Sequence, residues 1–423
     1  MRLLILSATT GGGHMAAANA IKEYVMMKDP SAVVKIIDAL EYVSPFLNKA
    51  VTGGYVYMVR NLPKVYGSFY NSWDDLDTTA VNKTLGLTTH TVINRLLPLV
   101  NEFEPDIVVT THAIGAEMIT VLKNEGVIDI PVISIVTDFA IHQFYLLNDG
   151  VNAYIVSSRE MVDQVVSRGV DRVKVYPYGI PVKQGFFKEI DRKATFESEG
   201  LDESIPTVLI MAGSFGVSDV LKIYHKIVKS TAEFQIIVIT GKNEKLYETF
   251  NRYLRKITIN NTLVEFREYA KATAKATKPQ KPAAKSKPPA KPKPISKNLK
   301  PSKPTKLLYY TDEVDKYMHM ADLIVTKPGG LTVTESIASN LPMAIFKAIP
   351  GQEEQNAEFL VSKNMAVQLK KDNTCTETIT ELLGNNGKLD EMKKSIKSFA
   401  KGNSAANLYI LMLELIERYR NKQ

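Results

Sequence analysis

The chain has 423 residues, 45% hydrophobic and 23% charged, the balance of an ordinary soluble globular protein with room for two or three domains. Its lone cysteine, Cys375, excludes an intrachain disulfide and a cysteine-based metal cluster, and no run approaches the ~20 apolar residues that cross a bilayer. The net charge of +8 belongs to one segment: residues 271–306 carry 12 Lys and no acidic residue, and without them 41 basic side chains face 45 acidic ones.

The chain opens on a short apolar run, Arg2–Ala8, too short for a signal-peptide core and better read as a first strand. The loop Thr9-Thr10-Gly11-Gly12-Gly13-His14 leads into an amphipathic helix, His14–Val25, with Ala17, Ala20, Ile21, Tyr24 and Val25 on one face. Glycines permit a tight turn, and the helix start offers unpaired N–H groups to an anion or an oxygen-rich ligand. Gly11-x-Gly13-x-x-Ala16 also fits a dinucleotide-binding fingerprint, with Asp38, at the end of the strand Val33–Asp38, placed as a ribose ligand. His14 is less typical of that fingerprint. The dipole at a helix start keeps an imidazole neutral, which suits a general base; the bland alternative is a first-turn residue with no chemistry.

Residues Tyr42–Trp73 collect Tyr55, Tyr57, Tyr66, Phe69, Tyr70 and the only tryptophan, Trp73. They form either helix core or an apolar aromatic surface suited to the bilayer interface. Strands follow at Asp106–Thr110, Val132–Thr137 and Ala153–Ser157, and a helix at Arg159–Arg168. Thr137-Asp138 ends the fourth strand, with His142 and Tyr145 just beyond; Asp138 could orient a base, bind a hydroxyl or cap a helix.

A polar stretch, Lys183–Ser204, resembles a linker, after which the pattern restarts with strands at Thr207–Met211, Gln235–Thr240, Leu307–Tyr310, Leu323–Thr326 and Met343–Phe346, and a helix at Asp219–Lys229. Three loops of this half carry ligand-binding chemistry. Gly213-Ser214-Phe215-Gly216 follows its first strand. Thr326-Lys327-Pro328-Gly329-Gly330-Leu331-Thr332 turns from strand to helix, with Glu335 just inside that helix, able to accept both hydroxyls of a ribose. Pro350-Gly351-Gln352-Glu353-Glu354-Gln355-Asn356 has the donor and acceptor inventory that sugar hydroxyls require. Alternating β and α predicts an α/β protein with two doubly wound, Rossmann-like domains facing a cleft. These span 1–182 and 205–403, joined by 183–204, with a last helix in 404–423 packing back on the first domain.

The segment 271–306 also holds eight Pro and six Ala, with only Ile295 and Leu299 as large aliphatics. Too little apolar surface is available there to offset ordering entropy, so disorder is expected. It is either a solvated insert or a polybasic arm attracted to anionic lipid at up to ~1 kcal/mol per Lys. Nucleic acid is not expected, because no aromatic residue interleaves the lysines.

Six motifs occur in family order: Gly11-Gly12-Gly13-His14, Thr137-Asp138 with His142, Tyr178-Gly179-Ile180-Pro181-Val182, Gly213-Ser214-Phe215-Gly216, Thr326–Thr332 and Pro350–Asn356. Together the chain resembles the monogalactosyldiacylglycerol synthases and bacterial processive diacylglycerol glucosyltransferases, over nearly its whole length apart from the lysine-rich insert. The resemblance implies a GT-B fold and an inverting transfer of a hexose from UDP-glucose or UDP-galactose to diacylglycerol. No metal and no cofactor is implied beyond the UDP-sugar co-substrate, and the protein would lie peripherally on an anionic membrane surface at the cytoplasmic face. The acceptor would bind the N-terminal domain at Gly12, Gly13, Thr137, His142 and Tyr145, with His14 as base and Asp138 beside it. The donor would bind Gly213, Ser214, Phe215, Gly216, Lys327, Pro328, Gly329, Gly330, Leu331, Thr332, Glu335, Gln352, Glu353 and Asn356. Where many members carry His-Pro-x-Trp, this chain has His142-Gln143-Phe144-Tyr145. The rival readings are a UDP-N-acetylglucosamine transferase acting on a polyprenyl-linked cell-wall precursor, an NAD-dependent hydride-transfer enzyme, and a non-catalytic UDP-sugar sensor that binds membranes.

Overall fold

A computed structural model describes residues 1–9, 12–74, 94–146, 149–211, 217–256, 303–346, 348–370, 374–384, 386–400 and 402–421. The first six strands are β1 (Arg2–Ser7), β2 (Val33–Asp38), β3 (Ile107–Thr110), β4 (Val132–Ile135), β5 (Ala153–Ile155) and β6 (Val175–Tyr176). They form one parallel sheet in the order β2-β1-β3-β4-β5-β6. The second sheet takes β7 (Thr207–Met211), β8 (Gln235–Ile239), β9 (Thr305–Leu308), β10 (Leu323–Thr326), β11 (Met343–Ile345) and β12 (Ala366–Gln368). Its order is β12-β11-β10-β7-β8-β9, again parallel throughout.

Helices cover both faces of each sheet, which is why the strands read as unbroken apolar runs: Leu3 to Leu6 and Val208 to Ile210 have no exposed surface. In each sheet the order in which strands are added reverses beside the first strand, between β1 and β3 and between β7 and β10. In open α/β sheets, ligands bind at the carboxyl ends of the strands at that reversal. The loops at those positions carry His14 in one domain and Gly329-Gly330 in the other.

Eight helices matter below: α1 (Gly13–Lys28), α2 (Pro45–Asn61), α3 (Pro63–Asp74), α4 (Ala113–Asn124), α5 (Arg159–Ser167), α6 (Gly330–Ala338), α7 (Gln352–Ser362) and α8 (Ser404–Arg420). The last returns to the first domain, burying Leu408, Leu411 and Met412 with Ile21, Val25 and Ile5. Polar contacts pin its far end: Arg420 donates to Asp106 at 2.8 Å and Lys123 to the Tyr419 hydroxyl at 2.7 Å.

Three expectations change. The stretch 183–204 is not a bare connector, since a short helix, Arg192–Glu199, and a turn, Gln184–Phe187, bury Phe196 and Phe186 in the core of the C-terminal sheet. Two aromatic side chains among many charges escape a composition reading yet supply enough apolar surface to dock it. The lysine-rich segment ends earlier than 306, because Thr305 and Lys306 open β9, paired to Ile236 and Ile237. Lys306 can sit on a strand because its ammonium meets Glu199 at 2.8 Å. Residues 271–302 lie outside the described residues. Finally, β6 and β12 escape the sequence pattern, for two and three residues on a sheet edge carry no readable alternation.

Candidate active site

The turn after β1 enters α1 through Gly12, whose φ of 80° lies in the left-handed region open to glycine. His14 follows in the first turn of the helix. Its Nδ1 stands 2.6 Å from the Thr111 carbonyl oxygen, and Thr137 Oγ1 lies 3.0 Å from the same nitrogen. A carbonyl only accepts, so Nδ1 carries the proton and Nε2 keeps its lone pair. Burial holds the His14 pKa below its ordinary value, although Asp138 and the Thr111 carbonyl favour the charged form. A neutral imidazole with Nε2 unprotonated is the form a general base requires.

The C-terminal domain closes directly on this group. A Cβ built on Gly330 would come within 1.9 Å of the Thr137 carbonyl oxygen, so only glycine permits the contact between α6 and the turn after β4. A Cβ built on Gly13 would stand 3.6 Å from Leu331 Cβ, across the cleft. The two glycine turns therefore bring the starts of α1 and α6 together, with N–H groups and positive dipole ends on both sides of one space. Ala17 and Phe139 of the first domain share an apolar cluster with Val333 of the second, and Leu331 and Phe359 pack against it.

Asp138 is the polar centre of the closure. Gln352 Nε2 donates to its Oδ2 at 2.9 Å and Asn356 Nδ2 to its Oδ1 at 3.1 Å. Asn356, fully buried, also donates to the Pro328 carbonyl at 3.0 Å and accepts from the Phe139 N–H at 2.8 Å. Its amide reads both domains at once. Glu353 accepts from the Ile349 N–H at 2.7 Å; burial pushes its carboxyl pKa up, against the nearby Lys327. Lys327 and Pro328 are buried, and Thr332 is half-buried in the first turn of α6.

Other expected site residues take other places. His142 is 5% exposed, its Nδ1 accepting from the Phe144 N–H at 3.2 Å and its Nε2 donating to the Tyr70 carbonyl at 3.1 Å. The ring lies between Tyr70 and Phe144, tying α3 to the loop after β4. Tyr145 is buried behind Thr137, 3.4 Å between hydroxyl oxygens. Asp38 is a helix cap, accepting from the Glu41 N–H and, at 2.8 Å, from Thr9. Gly213, Ser214, Phe215 and Gly216, like Thr10 and Gly11, lie outside the described residues. Sequence reading passed over His112, whose ring meets His14 edge-on at 4.5 Å between centroids. Its signal was available: it stands between a strand and a helix, the same kind of junction that carries His14.

Glu335 sits in the second turn of α6, beyond the reach of a first-turn cap. Burial pushes its pKa up to about 8, with Lys183 opposing and Asp315 adding to the rise. An unfolded glutamate ionises near ~4.3, so in the window from there to about 8 the unfolded chain sheds a proton the folded one retains. Stability is therefore lost as pH rises through that window. Glu335→Gln is expected to raise unfolding free energy at pH 7 by roughly 1–3 kcal/mol and to leave it unchanged at pH 4, measured by urea denaturation.

Among the described residues, no group of three or more His, Cys, Asp or Glu could hold a metal ion. Two parallel α/β domains, with a neutral histidine at one helix start and a glycine-turn helix start facing it, define the GT-B architecture. Comparison with known proteins agrees. Residues 14–182 match the monogalactosyldiacylglycerol (MGDG) synthase family model, and residues 284–408 match the glycosyltransferase family 28 C-terminal domain. Processive diacylglycerol beta-glucosyltransferases of Bacillus licheniformis and Bacillus subtilis are each 25% identical, over 100% of this chain and 97% of theirs. Among solved structures, Acinetobacter baumannii MurG superposes with a TM-score of 0.55 at 14% identity, covering 98% of this chain and 99% of its own. The UDP-GlcNAc 2-epimerase of Neisseria meningitidis gives 0.54 at 13%, covering 98% and 100%. Over its whole length the chain is thus similar to the processive diacylglycerol glucosyltransferases, and over residues 14–182 to the MGDG synthases.

Proposed function

We propose that the protein transfers a hexose from a UDP-sugar to diacylglycerol, with UDP-glucose and UDP-galactose as the two candidate donors. The observation that carries this reading is the meeting of two helix starts across one cleft, His14 on one side and Gly329-Gly330 on the other. His14 Nε2 takes the proton of the acceptor hydroxyl as its oxygen bonds to C1 of the sugar. The bond from C1 to the diphosphate oxygen breaks on the opposite face, so the anomeric centre inverts. The departing UDP carries negative charge, which the N–H groups opening α6 and the Lys327 ammonium stabilise. Asp138, Gln352 and Glu353 line the position of the sugar, and Glu335 is assigned to the ribose.

The names of the relatives in both Bacillus species favour glucose as the donated sugar and diacylglycerol as the acceptor. Among the described residues no helix is long and apolar enough to cross a membrane. Helices α2 and α3 expose Phe46 (83%), Tyr57 (61%) and Val65 (54%), with Lys49 and Lys64 also exposed. Apolar anchors flanked by lysines fit the interface of an anionic bilayer. The same helices reach the cleft, where Tyr70 packs on Gly351 and Gly67 on Pro350. An acceptor drawn from the bilayer would thus arrive beside Asp138.

The test is incorporation of radiolabelled sugar into chloroform-soluble lipid from anionic liposomes containing diacylglycerol, with each UDP-sugar supplied in parallel. Label from one donor names the sugar, and a ladder of products shows processive addition. No label from either donor, in protein that still binds UDP, overturns the proposed acceptor.

A further inference from the structure

The segment Thr111-His112-Ala113, where β3 passes into α4, touches His14 in two ways. The Thr111 carbonyl accepts a hydrogen bond from Nδ1 at 2.6 Å, and the His112 ring stands edge-on to the His14 ring, 4.5 Å between centroids and 75° between planes. His112 is also the N-cap of α4, an unusual task for histidine: its Nδ1 accepts from the Ile114 N–H at 3.1 Å. That lone pair is spent, so the neutral ring carries its proton on Nε2, the reverse of the His14 tautomer.

We propose that His112 is a positioning residue for the base: its capped, neutral ring holds His14 in place and keeps it unprotonated between turnovers. This rests on the reading of His14 as the base. His112 cannot take the proton from His14 without surrendering the helix cap, so the pair has one proton acceptor, not two. The groups facing His14 divide cleanly. Thr137 and Asp138 come from the turn after β4, and Asp138 favours the imidazolium; the His112 ring comes from the start of α4, is itself neutral, and adds to the burial that disfavours it; Leu331 of α6, beside Gly13, is uncharged. Without the His112 ring, water would reach the His14 imidazole and relieve the burial that disfavours its charged form.

His112→Asn separates the two roles, because asparagine is among the best helix caps and lacks the ring. The expected variant is folded, with turnover roughly tenfold lower and donor KM unchanged. The acid limb of its kcat/KM profile moves to higher pH. An acid limb that stays in place overturns the proposal, whatever happens to turnover. A second measurement needs no variant: 15N imidazole NMR of the wild-type chain, whose six histidines are resolved by single substitutions. It is expected to show His14 protonated on Nδ1 and His112 on Nε2, and His112 protonated on Nδ1 would overturn the proposal. His14→Ala run alongside keeps the two failures apart. Retained turnover there removes His14 as the base, whereas lost turnover with an unshifted His112→Asn profile sinks only the role of His112.

Discussion

Replacing His14 with alanine is expected to lower turnover by about 10²–10⁴-fold, the range that general bases contribute, while UDP affinity stays unchanged. The side chain lies in the N-terminal domain, and the residues assigned to the nucleotide lie in the other, so its removal leaves them in place. His14 Nδ1 is committed to the Thr111 carbonyl, which makes Nε2 the one ring nitrogen able to accept a proton. The pH profile carries the same signature. Burial holds the His14 pKa below 6.5, and a general base works in its neutral form. Wild-type activity therefore persists below that pH and falls as the pH drops through the lowered pKa. The alanine variant should lose this acid limb along with the rate. Sugar transfer to lipid, measured from pH 5 to 8 beside calorimetric UDP binding, checks both statements, and unchanged turnover would remove His14 from the mechanism.

Gly330→Ala should be nearly as damaging by a different route. The added methyl would fall 1.9 Å from the Thr137 carbonyl oxygen, 2.9 Å from its carbon and 3.2 Å from Asp138 Cα. All three are backbone atoms, so no side-chain rotation relieves the overlap. The domains must separate by more than ~1 Å, and a misplacement of that size costs about 10²-fold in rate. The same shift would strain the bonds of Asp138 to Gln352 and Asn356, each within 3.1 Å. Neither sheet depends on the contact, so the circular dichroism spectrum should match wild type while small-angle scattering shows a more open particle. Wild-type kcat/KM in this variant would mean that the closed arrangement is not the reacting one.

Much of the molecule was legible before any coordinates. Apolar runs ending in glycine turns, as at Leu3–Leu6 and Leu323–Val325, declare parallel strands because a sheet covered on both faces needs no polar alternation. His14 and Gly330 were legible for a related reason: a strand, a glycine turn and a helix place their junction at the ligand-binding edge wherever they occur. The roles of Asp138 and Asn356 were not. Positions 138 and 356 are 218 residues apart, and their hydrogen bond exists because two separately folded domains meet. No local pattern records such a meeting.

His112 and His142 mark the same boundary from opposite sides. In sequence they are equivalent, each a histidine just after a strand, and only His142 belonged to a recognisable motif. In the folded protein His142 spends both ring nitrogens on the backbone of its own domain, while His112 stands against His14. The chain alone determined two doubly wound domains, their glycine turns and the histidine that opens the first helix, because each of these is set by neighbours within one βα unit. Tertiary structure decided which polar groups face the cleft and which nitrogen of His14 can accept a proton. Those outcomes depend on the packing of elements that lie far apart along the chain.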